Sequence, residues 1–205
     1  MKVLMLNGSP RENGNTMTAL REMEKIFLAE GIETETIQVG SMNIRGCLAC
    51  GGCHATGKCV IDDGVNEISQ KLREADGLVI GSPVHYAAAA PALVACLDRI
   101  FYSADYDTTM KVGAAVCAAR RGGITATYDQ LNKYFGISGM VTAGGQYWNG
   151  IHGRTEGEAL QDAEGLQMMR TLARNMVFLM RSITLGREQL GLPEKEPRVA
   201  TNFIR

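Results

Sequence analysis

The sequence predicts an α/β fold: a doubly wound parallel sheet of five strands in the order 2-1-3-4-5, wrapped by helices. Short apolar runs alternate with amphipathic segments along the chain. The runs are nearly continuous, which is typical of strands buried on both faces of a parallel sheet. The 205 residues show no internal repeat and no second unit. We therefore expect a single domain spanning residues 1–205.

The strands are predicted from apolar or alternating runs that end in turn residues. In chain order they are expected at residues 2–6, 33–39, 77–81, 112–117 and 139–143. A long irregular insertion, the cysteine loop at 41–62, follows the second strand.

The helices are predicted from apolar residues at spacings of three and four, such as Leu20, Met23 and Phe27 in the first. Asp62 and Asp63 offer an N-cap for the second helix. Further stripes predict helices around 93–101 and 124–135, and a long C-terminal helix at about 155–185.

Composition and charge exclude several classes of protein. With 45% hydrophobic and 21% charged residues, the chain is expected to be globular, and its net charge of −1 gives no electrostatic reason for binding nucleic acid or an anionic membrane. No apolar run approaches the length of a bilayer span, and the N-terminus lacks a signal-peptide pattern. A cytoplasmic location is predicted. In that compartment, cysteines are more often metal ligands or catalytic groups than disulfides.

The loop after the first strand, residues 7–16, has the composition of a phosphate site. It leads into a helix N-terminus, where free backbone N–H groups and the helix dipole attract anions. Ser9, Asn15 and Thr16 supply short polar side chains, and Arg11 supplies positive charge. Neither Gly-x-Gly-x-x-Gly nor Gly-Lys-Ser/Thr is present, so a mononucleotide monophosphate fits better than a dinucleotide or a P-loop nucleotide. The alternative is a capped loop without a ligand.

Three further loops are expected beside the phosphate loop. Residues 82–86 leave the third strand at the switch point, where a flat aromatic ring could lie along the backbone. Residues 120–123, with two arginines, would close the same crevice, and Tyr147 and Trp148 would lie on its rim. The alternatives are a surface histidine without a ligand at His85, a solvated arginine pair, and rim aromatics that fill a subunit interface.

The most specific motif is a run of four cysteines, Cys47, Cys50, Cys53 and Cys59, with the spacing C-x2-C-x2-C-x5-C. Four thiolates in one compact loop are typical of a [4Fe–4S] cluster, although the fourth lies further away than in the ferredoxin pattern. Zinc is a weaker alternative, because structural zinc usually joins two separated ligand pairs. Free or redox-active thiols are a stronger alternative than zinc, and a disulfide is the least favoured.

Six short motifs are specific when taken together. They are Gly8-Ser9-Pro10-Arg11, Asn15-Thr16, the cysteine run continuing as Val60-Ile61-Asp62-Asp63, Ser82-Pro83-Val84, Leu97-Asp98-Arg99 and Gly139-Met140-Val141. In these motifs the chain resembles the NAD(P)H-dependent FMN reductase branch of the flavodoxin-like proteins, and within it the iron–sulfur flavoproteins. The resemblance covers roughly residues 1–145 and, more loosely, the final helix.

The resemblance implies FMN and a [4Fe–4S] cluster on the four cysteines. It also implies dimers or tetramers with the flavin near a subunit boundary. The implied phosphate contacts are Ser9, Arg11, Asn13, Asn15 and Thr16. The implied ring contacts are Pro83, Val84, His85 and Tyr86, with Arg120, Gly122 and Gly123 nearby. Two departures leave substrate specificity open: His85 stands where an aromatic residue is common, and the loop after the fourth strand is shorter and carries two arginines.

The resulting expectation is an FMN-dependent oxidoreductase that passes electrons from NADPH or NADH to a quinone, a flavin or an azo compound. A ferredoxin-like partner could exchange electrons through the cluster. The flavin carries the chemistry, so no side chain is nominated as a catalytic acid, base or nucleophile. The main alternative is a flavodoxin-like electron carrier that uses no pyridine nucleotide, and a thiol-based redox sensor is a weaker one.

Overall fold

A parallel sheet lies at the centre of the computed structural model, which describes residues 1–197, 199–201 and 203. Its strands are β1 (Lys2–Asn7), β2 (Glu33–Gln38), β3 (Gly77–His85), β4 (Ala88–Ala89), β5 (Val112–Ala119), β6 (Val141–Thr142) and β7 (Gly150–His152). The main path runs β2-β1-β3-β5-β6, with parallel pairing throughout. This order confirms the predicted 2-1-3-4-5 topology and the flavodoxin-like fold class.

The fifth strand position is filled by two short pieces, where the sequence predicts one strand. β6 pairs with the start of β5, and β7 pairs with its end. The intervening residues 143–149 contain two glycines and four polar or aromatic residues that interrupt the apolar pattern, so the sequence predicted only the first piece. The second piece matters because it delivers residues 153 and 154 to the carboxyl edge of the sheet.

Helices cover both faces of the sheet. They are α1 (Asn15–Ala29), α2 (Cys53–Thr56), α3 (Val65–Glu74), α4 (Pro91–Ser103), α5 (Ile124–Ile137) and α6 (Ala163–Leu190). One apolar core joins the sheet to α1 and α6, and the other joins it to α3, α4 and α5. None of the described helices combines the length and apolarity that a membrane span requires.

The long C-terminal helix begins at Ala163, later than the predicted 155, because Asp162 caps it. The Asp162 carboxylate accepts the N–H of Gly165 at 2.9 Å and the N–H of His152 at 2.7 Å. A 3₁₀ turn, Glu158–Gln161, occupies the preceding residues. The cap therefore ties α6 to β7 at the carboxyl edge of the sheet.

The third strand is longer than the predicted 77–81. Ser82 and Pro83 still pair with β5, and the strand then folds back through a turn at Tyr86 to pair with β4. The Ser82 hydroxyl accepts the N–H of Ala90 at 2.9 Å, which closes this hairpin. The residues predicted to form a loop are thus held by strand pairing.

Candidate functional site

The loop between β1 and α1 is fixed by its own hydrogen bonds. The N–H of Gly8 donates to the Gly81 carbonyl at 2.7 Å, which ties the loop to β3. The N–H of Ser9 donates to Asn7 Oδ1 at 3.0 Å, and the N–H of Arg11 donates to Ser9 Oγ at 3.1 Å. These contacts shape the loop without any ligand.

A second segment, the 3₁₀ turn Val39–Ser41 after β2, supports the loop from the side. A Cβ atom at Gly40 would overlap the carbonyl carbon of Ser9, so only glycine allows this approach. The side-chain amide of Gln38 donates to the Ser9 carbonyl. Neither Gln38 nor Gly40 is among the predicted site residues. The glycine directly after the second strand is the sequence feature that could have indicated this close approach.

The first turn of α1 is open towards a cavity. Gly14 occupies the N-cap position without a side-chain cap, and the first turn contains no acidic residue. The cavity measures about 270 Å³. Its lining residues are Ser9, Pro10, Arg11, Gly14, Asn15, Thr16, Pro83, Val84, His85, Ala118, Ala119, Arg120, Gly153 and Arg154. Three of them are arginines and none is acidic, so the helix dipole and the side chains both favour an anion here.

The structure brings most of the predicted flavin contacts to this cavity. Those that line it are Ser9, Arg11, Asn15, Thr16, Pro83, Val84, His85 and Arg120. Asn15 also has a structural role, because its amide donates to the Thr155 carbonyl at 3.0 Å and accepts the N–H of Ala159 at 3.2 Å.

Four predicted contacts lie elsewhere. Asn13 does not line the cavity, and its Oδ1 accepts a hydrogen bond from Arg21 at 2.8 Å. Tyr86 is fully exposed at the hairpin turn, with a φ of 56°. Gly122 and Gly123 line a neighbouring cavity. All the cofactor contacts named from the sequence stay predictions.

The neighbouring cavity, of about 310 Å³, begins where the first one ends along the 120–123 loop. Tyr147 and Trp148 line it, with their ring centroids 5.8 Å apart, and Tyr128 lies 5.9 Å from Trp148. The predicted rim aromatics therefore line this neighbouring cavity and not the cavity at the start of α1. Both side chains are substantially exposed, so they can cover a bound molecule.

Gly153 and Arg154 complete the first cavity and were missed by the sequence analysis. They follow β7, the unpredicted second piece of the fifth strand. A Cβ atom at Gly153 would lie 2.6 Å from Asn15 Nδ2, so glycine allows this segment to pack against the start of α1.

The four predicted cluster ligands share a different, much smaller cavity. Cys47 and Cys50 are exposed, Cys53 and Cys59 are partly buried, and none forms a disulfide. All four line one cavity of about 20 Å³ beside Tyr102. In the described part of the chain, no three His, Cys, Asp or Glu side chains lie close enough together to hold a metal ion. The donor set fits the chemistry of an iron–sulfur cluster, but its sulfur atoms are not gathered into a metal site.

Cys59 is held more firmly than the other three. Its N–H donates to Asn66 Oδ1, and its carbonyl accepts from Asn66 Nδ2, both at 2.9 Å. Its Sγ accepts the Nε–H of Arg99 at 3.2 Å, and Arg99 also pairs with Asp63 at 2.6 Å. Burial alone would raise the pKa of Asp63, but the hydrogen bonds from Arg99 and the Arg45 N–H hold that pKa below its usual range. The ion pair is therefore charged at neutral pH.

Asp63 thus does not act as the predicted N-cap residue. Gly64 occupies that position, with a φ of 90°, and has no side-chain cap. The Asp63 carboxylate instead accepts from Arg99 and from the N–H of Arg45.

Comparisons with known proteins find relatives of this chain by sequence. The family described as NADPH-dependent FMN reductase matches residues 1–154. An iron-sulfur flavoprotein of Methanocaldococcus jannaschii is 35% identical over 191 residues, which cover 89% of this chain and 99% of that protein. An iron-sulfur flavoprotein of Methanosarcina thermophila is 30% identical over 194 residues, covering 92% of this chain and 100% of that one.

A solved structure supports the fold. The crystal structure of RosB with a bound intermediate, 8-demethyl-8-formylriboflavin-5′-phosphate, aligns with a TM-score of 0.72 and 19% identity. The alignment covers 100% of this chain and 94% of RosB.

Proposed function

Because this chain belongs to the NADPH-dependent FMN reductase family, we propose that it is an FMN-dependent oxidoreductase. It takes electrons from NAD(P)H and passes them to an acceptor such as a quinone, a flavin or an azo compound. The observation that carries the proposal is the cavity at the start of α1, where an uncapped helix end meets three arginines and no carboxylate.

The phosphate of FMN belongs at this helix end. The free N–H groups of the first turn can donate to its oxygens, and Arg11, Arg120 and Arg154 can balance its charge. The backbone hydrogen bonds of Gly8 and Ser9 hold the loop in shape beforehand. Binding therefore requires little ordering of the chain, which favours retention of the cofactor.

The flavin ring belongs against the wall formed by the end of β3 and the 120–123 loop. These two segments already touch, because a Cβ atom at Gly123 would lie 2.7 Å from Val84 Cγ1. Gly123 has a φ of 96°, a conformation that glycine adopts without strain. Bound FMN would supply the hydride and electron chemistry. The role of the chain is to orient the ring, to shield it with Val84 and the neighbouring aromatic residues, and to leave one face open to the donor.

The cysteine loop supports a second proposed cofactor, a [4Fe–4S] cluster held by Cys47, Cys50, Cys53 and Cys59. The support is the set of four free cysteines around one cavity, together with the name of the relatives. A ferredoxin-like donor could then deliver electrons through the cluster. We also propose a homodimer or homotetramer in the cytoplasm, and the exposed Phe178 and Leu185 on α6 provide apolar surface for subunit contact.

The activity is tested with anaerobically purified protein loaded with FMN, iron and sulfide. Its absorption spectrum and an assay of iron and acid-labile sulfide report both cofactors in one sample. Addition of NADPH or NADH should bleach the flavin rapidly. Reduction by dithionite alone, with no bleaching by either nucleotide, would contradict the reductase and favour an electron carrier.

The phosphate site is tested by replacing Arg11 and Arg154 with alanine together. Loss of two charge-assisted hydrogen bonds should weaken FMN binding roughly 100-fold or more. Arg174→Ala is the matched control, because Arg174 is exposed on α6 and lines neither cavity. An FMN affinity in the double variant equal to that of the wild type would refute the assignment.

A further inference from the structure

We propose that Arg99 is a positioning residue of the cysteine site. Its buried guanidinium clamps the two ends of the cysteine loop and donates an N–H···S hydrogen bond to Cys59, so that this sulfur is in place before a metal arrives. The clamp is a property of the apoprotein and does not depend on the proposed function. Only the effect on the cluster rests on the proposed function.

The contacts of Arg99 reach both ends of the loop. Arg99 lies on α4 and is 1% exposed. Its hydrogen-bond acceptors are Cys59 Sγ at 3.2 Å, Asp63 Oδ2 at 2.6 Å, the Arg45 carbonyl at 2.9 Å and the Ile61 carbonyl at 2.9 Å. Arg45 precedes the first cysteine of the run, and the other three acceptors lie at or after the last. One side chain therefore closes the base of the whole loop.

A guanidinium is the group that this arrangement requires. Its planar fork carries five N–H donors, whereas a lysine ammonium is a compact point charge with three. Asp63 balances the buried charge and also accepts the N–H of Arg45 at 3.0 Å, which joins the two ends of the loop a second time. Removal of the arginine would leave the Asp63 carboxylate without its counter-charge and three other acceptors without the guanidinium donor.

The clamp distinguishes Cys59 from the other cysteines. Among the described residues, Cys47 Sγ receives only the N–H of Ala49, at 3.4 Å, and Cys47 and Cys50 are exposed. Cys59 is held at its backbone by Asn66 and at its sulfur by Arg99. We infer that Cys59 is the fixed ligand and that the segment from Cys47 to Cys53 closes onto it. An N–H···S bond from a cation also favours the more reduced cluster, so Arg99 should raise its reduction potential.

The clamp is tested by hydrogen exchange on the apoprotein, which needs no cofactor. In Arg99→Lys and Arg99→Met, the amides of Cys59 and Arg45 should exchange roughly tenfold faster or more than in the wild type, while those of Gly8 and Ser9 stay unchanged. Arg73→Met is the matched control, because Arg73 is half-exposed and its ion pair with Asp105 is long, at 3.8 Å. Exchange at Cys59 and Arg45 that is unchanged in both Arg99 variants would overturn the clamp.

A second measurement keeps the proposal testable if the Arg99 variants do not fold. In ¹⁵N-labelled protein that retains Arg99, the Arg99 Nε–H signal should be protected from exchange. It should shift in Cys59→Ala and stay in place in Cys47→Ala. An Arg99 Nε–H signal that keeps its chemical shift in Cys59→Ala would show that the N–H···S bond is absent.

The cluster effect is tested with reconstituted protein. Arg99→Lys should retain less iron and sulfide than the wild type, and the cluster that remains should have a more negative reduction potential. Wild-type potential and iron content in this variant would overturn the tuning role. If the wild-type protein itself takes up no iron and sulfide, the proposal of a cluster is wrong. Hydrogen exchange and the Nε–H signal still test whether Arg99 clamps the loop.

Discussion

The phosphate loop and the cysteine loop differ in how much of their binding geometry exists without a ligand. The phosphate loop is tied to β3 through Gly8, supported by Gly40 and closed by its own Asn7 and Ser9 contacts. In the cysteine loop only the base is held, by Arg99 at both ends and by Asn66 at Cys59, while Cys47 and Cys50 face solvent. One site is preformed and the other is half formed.

The difference follows from the chemistry of the two ligands. A phosphate is bound largely by backbone N–H groups, which the fold can direct towards one point at little cost because they carry only partial charges. Four thiolates gathered in one place repel each other unless a metal compensates their charge. Metal binding is therefore coupled to ordering of its ligands, and a loop with one anchored cysteine reduces the part that must be ordered.

The largest expected effect tests the preformed site. Gly40→Ala forces a Cβ atom into the Ser9 backbone, which cannot move aside without straining the loop. It should destabilise the fold by about 3 kcal/mol, the upper end of the usual cost of overpacking, and should impair FMN binding. Gly46→Ala is the control in the other loop, because a Cβ atom there would meet nothing within 4 Å. Equal urea-unfolding curves for the two variants would contradict the proposed difference between the two loops.

Metal removal tests the half-formed site. After the reconstituted protein is stripped of iron by a chelator, the amides from Cys47 to Cys53 should exchange roughly tenfold faster or more, because their order depends on the metal. The Gly8 and Ser9 amides and the FMN content should stay the same. A comparable change at Gly8 and Ser9 would mean that the two loops do not order separately.

A smaller effect is expected at the backbone anchor of Cys59. Asn66→Ala removes two hydrogen bonds of 2.9 Å and should lower the free energy of local opening at Cys59 by about 2 kcal/mol. Hydrogen exchange measures it directly. Asn43→Ala is the control, since Asn43 is exposed in the same segment. If both variants leave exchange at Cys59 unchanged, the side chain of Asn66 does not hold the Cys59 backbone.

The smallest effect is a pH dependence that comes from Asp63. Its pKa is lowered in the folded protein, so its contribution to stability is fully present above the unfolded pKa of about 3.9 and is lost as the pH falls through the lowered folded pKa. The wild type should be more stable than Asp63→Asn at pH 7, and the gap should close below about pH 4. Urea unfolding at several pH values measures it, and a gap that is independent of pH would contradict the ion pair.

The sequence predicted the strand order and the loop at the start of α1 because both are local patterns. Apolar runs mark the strands, and residues 7–16 carry their glycines and short polar side chains in one continuous segment. Gly40 and Arg154 escaped prediction because they come from other parts of the chain, Gly40 to support the phosphate loop and Arg154 to line the cavity. Their contribution depends on the close approach at Ser9 and on the split of the fifth strand.

The cysteine spacing predicted the ligand set, but spacing says nothing about which sulfur is held. Arg99 was visible only as part of a short motif. Cys96, Arg99 and Ser103 are all buried and lie on one side of α4, so a charge within a buried helical stripe was the available signal. Its partners come from a loop some 40 residues earlier, and only the tertiary structure brings them together.

The central claim is that the phosphate of FMN is the anchor of the cofactor. It is tested most directly by titrating the wild-type apoprotein with FMN and with riboflavin, which has the same ring but no phosphate. FMN should bind roughly 100-fold more tightly or better, because riboflavin cannot use the arginines or the helix end. Equal dissociation constants for the two would contradict the account.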